Sequence, residues 1–524
     1  MSMSDSFRRS FQLAPLVAVF ALPSLAQAQL VPDWSASVAA HAPAPAMAVD
    51  AGRNTVLVST LSGQPVTISK LGPTGALLWQ RSLGGAASRA FDVITDAAGG
   101  IVLAGAVVDT AGLPTGTLVA KLDAAGNLLW QAVGTTLAQV RELALDTTGN
   151  VYALVQAGSA STGTDVQLVK LSASGVRQWT RSVGAALATA SDALVVNSNG
   201  QPVISGINTA GQAVVAAFDA QGNPLASIQT GTTALSLAAG RSGEVYAVGG
   251  GAGLLAIKYG PAFNEVWRST SGTAGGALRA AVDAGGNLVV TGSYNPASGG
   301  FGFTALVPQW RTVKFSAAGS ALWSADFGVP SFVMGDPAAL ALGADGSVYL
   351  TGRAAEPVTG STGAVSYRQS MATLRYSGAG VLLGTLYTSS SPGGADIEVA
   401  SDGGIHVVGG SNLVNGSIDA PVLHVAGPVV APARPTGLFV AGPVWESSSA
   451  TMTVNLSTPS GATVKLTSSN TGAARVPATV VVPAGATSAT FPVTTLAVRR
   501  NTSVTIRASA NGTTLGTTIT VLNR

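Results

Sequence analysis

The chain has 524 residues, 47% hydrophobic and only 10% charged, with Lys+Arg 27 against Asp+Glu 24. That length and apolar content provide for more than one packed domain, and a net charge of +3 without any run of Lys or Arg excludes a basic surface for nucleic acid. Cysteine is absent, which excludes disulfides, a catalytic thiol, Cys-ligated metal sites and a lipid anchor on Cys.

The N-terminus, "MSMSDSFRRSFQLAPLVAVFALPSLAQAQL", places Arg8 and Arg9 ahead of an apolar stretch at 13–25 and the small-x-small triplet Ala26-Gln27-Ala28. This is the grammar of a secretory signal peptide, residues 1–28, with cleavage after Ala28. The apolar stretch is too short to span a bilayer. A secreted protein is expected, periplasmic or extracellular. Next comes "VPDWSAS" (31–37), with a tryptophan, Trp34, that no nearby repeat accounts for.

From residue 48 onward two units alternate. The first is an apolar run, an Asp/Asn/Gly turn and a run rich in Val and Tyr: "AVDAGRNTVLVS" (48–59), "ITDAAGGIVLAG" (94–105) and "AVDAGGNLVVTG" (281–292) are examples among eight copies, the last read as "VASDGGIHVVGG" (399–410). The second is a lysine, eight residues and a tryptophan: "KLGPTGALLW" (70–79), "KLDAAGNLLW" (121–130), "KLSASGVRQW" (170–179), "KYGPAFNEVW" (258–267) and "KFSAAGSALW" (314–323). Each unit reads as a hairpin, and two hairpins per repeat give four strands, A to D, which is one propeller blade. An eight-bladed β-propeller over residues 29–427 follows, with seven blades as the alternative if one irregular repeat is incomplete. The last repeat lacks its own Lys–Trp hairpin, so 31–37 is expected to supply the missing fourth strand and Trp34 the missing tryptophan.

If the turn has four residues, the lysine and tryptophan face each other across strands C and D. The lysine stem then lies along the indole with the ammonium near the ring. The strand-C position carries Lys70, Lys121, Lys170, Ala217, Lys258, Lys314, Arg375 and His424. Packing between blades is the favoured reading over a cationic stripe for acidic polymers. "AVDAGGNLVVTG" with "VKFSAAGSALW" resembles the bacterial secreted β-propeller repeats of the SBBP type, over roughly residues 31–427. That resemblance implies the fold and no activity. The spaced tryptophans are also similar to the docking motif of pyrroloquinoline-quinone dehydrogenase propellers, which typically use Ca²⁺, acidic ligands and a catalytic Asp beside a vicinal disulfide. With no cysteine and no matching acidic set, that activity is not carried over.

"GPVVAPARPTG" contains a Pro-rich linker at 428–437, after which Thr, Ser and Val alternate with period two. Met452, Val454 and Leu456 share a face, as do Val464 and Leu466, Phe491 and Val493, Val504 and Ile506, and Ile519 and Val521. Residues 438–524 are therefore expected to form an immunoglobulin-like β-sandwich. "VPAGATSATFPVTT" resembles bacterial surface immunoglobulin-like domains, which implies a spacer or adhesion role.

Candidate chemistry is sparse. The histidines are His41, His406 and His424, too few for a multi-His metal site, and each Asp turn offers one carboxylate where calcium needs six or more oxygens. No cofactor and no metal are implied. In a propeller the B–C and D–A loops share one face. Three long insertions fall there: 293–310 with Tyr294 and Trp310, 353–370 with Tyr367 and Arg368, and 411–421. Counting back from each A–B turn aligns Asp92, Glu142, Arg279 and Asp396 at the start of strand A, near the channel mouth on that face. These eight residues are the candidate ligand contacts. A non-catalytic binding or scaffold protein of the bacterial cell envelope is expected, its partner an extracellular glycan or peptide polymer or a surface protein. A propeller lyase or hydrolase acting on an extracellular glycan is the alternative.

Overall fold

The computed structural model describes residues 28–524 except in connecting stretches, of which the longer are 41–44, 185–192, 295–308, 329–334, 411–418 and 428–433. The signal segment up to residue 27, the middle of the first insertion, most of the third and part of the Pro-rich linker thus lie outside the described residues.

All the described regular elements are β-strands. Residues 46–83, 88–133, 138–184, 194–229, 235–271, 275–327 and 337–388 each fold into an antiparallel meander of four strands. Gly394–Val399, Ile405–Gly409 and Asp419–Val425 follow as three strands of a further sheet. Its fourth strand is Trp34–Ala39, antiparallel to Asp419–Val425 with Trp34 opposite His424. The first strands of the successive sheets stand side by side, and Gly394–Val399 lies against Ala46–Val49. Repeated four-stranded sheets around a common centre are the architecture of a β-propeller.

Short-range chemistry sets the hairpins. In the turn after Thr95, Asp96 Oδ1 accepts the amides of Ala98 and Gly100 at 3.0 and 2.7 Å, and Gly99 takes φ 78°, which costs a glycine little. Apolar residues then fill the space between neighbouring sheets. Val56, Val58 and Ile68 of one sheet, for instance, share a core with Ile101, Leu103 and Leu118 of the next.

Lysine and tryptophan are cross-strand partners at Lys70–Trp79, Lys121–Trp130, Lys170–Trp179, Lys258–Trp267 and Lys314–Trp323. Their electrostatics differ from the expected cation–π pair. The ammonium turns away from the tryptophan toward the A–B turn carboxylate of its own sheet: Lys70–Asp50 at 2.8 Å, Lys121–Asp96 at 2.9 Å, Lys314–Asp283 at 2.8 Å. Lys170 and Lys258 lie over tyrosine rings, Tyr152 and Tyr246. Burial works to raise Asp50, but hydrogen bonds from Lys70 and Asn54 outweigh it and hold the carboxyl below its usual range. The indoles reach forward instead. Trp34, Trp130, Trp179, Trp267 and Trp323 donate Nε1–H to a carbonyl in the C–D turn of the next sheet (Pro73, Ala173, Ala220, Ala317, Gly378) at 2.9–3.1 Å. Each ring covers a glycine with positive φ in that turn. At Gly175 (φ +82°) a Cβ would stand 2.5 Å from Trp130 Cδ2.

The sheet at 194–229 departs from this pattern as a set. Ala217 and Ala226 occupy the Lys and Trp positions, and Asn197 replaces the turn Asp. The next C–D turn has Phe263, at φ 60° and 8% exposed, where the others have glycine, and this ring shares a core with Ala226 and Ile228. A side chain entering from the far side occupies the slot that an indole fills elsewhere.

The 353–370 insertion is not a loop. It lengthens strands Val348–Thr359 and Val365–Tyr376 to 12 residues each, paired through to Thr359–Val365. Residues 435–522 form a separate pair of sheets sharing one core, with Met452, Val454, Phe491 and Val493 from one and Val464, Leu466, Val504, Ile506 and Ile519 from the other.

Candidate functional site: the central cavity

Five first strands carry a β-bulge at the same place. The register shifts between Ala90 and Asp92, Val140 and Glu142, Ala277 and Arg279, Pro337 and Ala339, and Gly394 and Asp396. A bulge adds a residue and re-aims its neighbours. Asp92, Arg279 and Asp396 thereby line one cavity of about 590 Å³, together with Phe91, Glu398 and residues 338–342 of the adjacent strands.

Glu142 does not join them. Its carboxylate accepts the amides of Ala193 and Leu194, at 2.8 and 3.2 Å, and so ties its strand to the next sheet. Asp92 makes the same kind of tie through Oδ2 to the Leu143 amide at 2.7 Å, while also facing the cavity. Both are thus partly architectural, a use of strand-start carboxylates that spacing alone does not reveal.

Two further charged groups belong to this region. The Arg141 guanidinium lies 4.8 Å over the ring of Phe91, a cavity-lining bulge residue. Glu398 stands two residues after Asp396, on the same face of the same strand. It keeps part of its surface open to the cavity, but the surrounding protein, then Asp396 and Asp92, push its carboxyl up to about 8. Reading the last repeat from Val399 hid it. Strand pairing sets Glu398 opposite His406, in the place of Ala48 opposite Val56, so that repeat starts one residue earlier.

The aromatic candidates lie elsewhere. Trp310 is 1% exposed, donates Nε1–H to Gly335 O at 2.6 Å and packs on Phe327, so it is core rather than a surface contact. Burial of its ring between neighbouring sheets is the physical reason. Tyr294 ends strand Leu288–Tyr294, with its backbone opposite Gln309; its side chain lies outside the described residues. Tyr367, 38% exposed, faces Pro357 on the projecting hairpin, and Arg368 beside it forms a bidentate pair with Glu356 at 2.7 and 2.9 Å. Among the described residues no group of three or more His, Asp or Glu is arranged to hold a metal ion, and no helix is long and apolar enough to cross a membrane.

No protein-family model matches the chain, and no curated protein is similar to it in sequence. Solved structures do resemble it. Sqt1 from Chaetomium thermophilum aligns with a TM-score of 0.53 at 10% identity, covering 76% of this chain and 100% of that one. BamB from Moraxella catarrhalis aligns at 0.43 and 11% identity, covering 76% and 99%, and the WD40 domain of SCAP from fission yeast at 0.45 and 9%, covering 76% and 98%. At such identities the Sqt1 likeness speaks for the fold alone, and the fold is that of a β-propeller.

Proposed function

We propose that this chain is a secreted, non-catalytic binding scaffold of the bacterial envelope or exterior. In this reading an eight-bladed propeller of the SBBP type is closed by the N-terminal strand and followed by an immunoglobulin-like spacer domain. The leader-like N-terminus supports export, and the run of sheets from 46–83 to 394–425, with Trp34–Ala39 in the last, supports the blade count. The observation that carries the binding reading is the cavity. It gathers Asp92, Asp396 and Glu398 with Arg279 on the first strands of the sheets. Charges of both signs along the lining suit an extended peptide segment, whose backbone and side chains offer partners of both kinds. The test is a peptide array probed with the mature chain, followed by titration of the selected peptide against wild type, Arg279→Ala and Asp396→Asn. Both variants should weaken binding at least tenfold with folding intact; unchanged affinities would overturn the assignment.

One observation favours a second reading. A carboxyl that burial, then Asp396 and Asp92, push up to about 8 is the kind of general acid that glycan-cleaving enzymes use. Release of reducing ends or unsaturated products from a glycan library, abolished by Glu398→Gln, would establish it over the binding reading.

A further inference from the structure

Across each sheet of the propeller, one row of cross-strand partners runs from the centre to the rim. The row is Ala48–Val56–Lys70–Trp79 in the first sheet and Ala281–Val289–Lys314–Trp323 in a later one. In the sheet that joins the two ends of the ring it is Glu398–His406–His424–Trp34. In the sheet that Trp34–Ala39 completes, the small apolar residue, the buried residue and the lysine give way to Glu398, His406 and His424.

We infer that this row is an acid-sensitive latch: protonation of His406 loosens strand Trp34–Ala39 from Asp419–Val425 and opens the ring. The geometry carries the argument. His406 is 0% exposed; its Nδ1 meets Thr55 Oγ1 at 2.7 Å, and its Nε2 is buried with no hydrogen-bond partner. An imidazolium there would hold a second N–H with nothing to accept it, 4.6 Å from the ring of His424. Trp34 closes the site, stacked on His424 at 5.6 Å and edge-on to His406 at 5.9 Å. Releasing the strand would let water reach both rings.

The other charges facing His406 are few. His424 Nδ1 lies 2.6 Å from Asp33 Oδ1, Asp402 is paired with Arg53 at 2.6 Å, and Glu398 stands opposite on the inner strand. Burial, and then His424, hold His406 down to about 4 from an ordinary 6.5. The sign follows. A base whose folded value is depressed binds its proton more readily once released, so opening gains as pH falls from 6.5 and levels off below about 4. At tenfold per unit, the full range is about 300-fold in the opening equilibrium. Glu398 has the opposite sign but sits on the inner strand, which stays in place, so local opening is a cleaner readout than global melting.

The experiment is hydrogen–deuterium exchange of residues 34–39 between pH 7 and 4, corrected for intrinsic rates, in the full chain. Wild type should open progressively more, by about 100-fold over this window, while strand Ile101–Val108 does not. His406→Val, which installs the residue found at Val56 and Val289, should flatten the profile. Should that variant misfold, NMR titration of the wild-type imidazole serves: His406 should stay neutral down to about pH 5, and ordinary titration near 6.5 overturns the proposal. An unchanged slope in His406→Val, or a flattening by Asp33→Asn instead, also overturns it.

Discussion

Removing one tryptophan from the ring tests how the sheets hold one another. In Trp130→Ala the indole that covers the 172–176 turn is lost, along with the 2.9 Å bond to Ala173 O. The ring is only half-buried, so about 100–150 Å² of apolar surface returns to water, about 3 kcal/mol at ~25 cal/mol/Å². The bond adds little, since water replaces it. Gly175→Ala probes the other side of the contact. Its backbone sits at φ +82°, which costs a non-glycine about 1–2 kcal/mol, and the new methyl would also displace the indole from 2.5 Å. In the Trp130→Ala background only the backbone cost remains. A double-mutant cycle by urea unfolding, followed by circular dichroism, should therefore give a coupling of about 1–2 kcal/mol. If Gly175→Ala costs the same in both backgrounds, the indole does not rest on that turn and the docking argument fails.

Phe263→Ala should cost about 3–5 kcal/mol by emptying the slot beside Ala226, and Phe263→Gly with Ala226→Trp should recover part of it in the same unfolding assay. Lys121→Met keeps the stem but leaves the Asp96 carboxylate without its cation, so about 1–3 kcal/mol should be lost at pH 7 by urea unfolding. The Asp50, Asp96 and Asp283 carboxyls are held below their usual range, so their contribution is present above about pH 4 and lost as pH falls through the folded values; acid unfolding by circular dichroism should begin there. Glu398 is the reverse case. Its raised carboxyl makes folding less favourable as pH rises from 4.5 to about 8, so Glu398→Gln should raise Tm at pH 9 and leave it nearly unchanged at pH 4.

The propeller class was legible because each repeat writes its hairpins locally. An Asp or Asn caps the turn, a glycine takes positive φ, and the strands alternate. The cross-strand meeting of Lys121 and Trp130 followed from spacing alone. What each side chain then touches did not, because the partners lie far along the chain: Asp96 for Lys121 in the same sheet, and Ala173 for Trp130 in the next. The apolar period of the C-terminal unit was equally plain, and Met452, Val454, Phe491 and Ile506 are all buried. The site was harder. Asp92, Arg279 and Asp396 could be aligned by counting, but a one-residue slip in the last repeat hid Glu398. Trp310 stood outside the Lys–Trp series and so read as spare, whereas it is buried against Phe327.

Closure of the ring by the N-terminal segment rests on strand Trp34–Ala39 pairing with Asp419–Val425. Because the chain has no cysteine, the variant Ser35→Cys, Leu423→Cys carries a single pair of thiols, at positions that face each other in register. Antiparallel partners stand about 4.5–5.5 Å apart, within reach of a disulfide. Under mild oxidation, intact-mass analysis should show the monomer losing two hydrogens, and peptide mapping should join the segment around residue 35 to that around 423. Free thiols, or cross-linking only between separate chains, would contradict the closure.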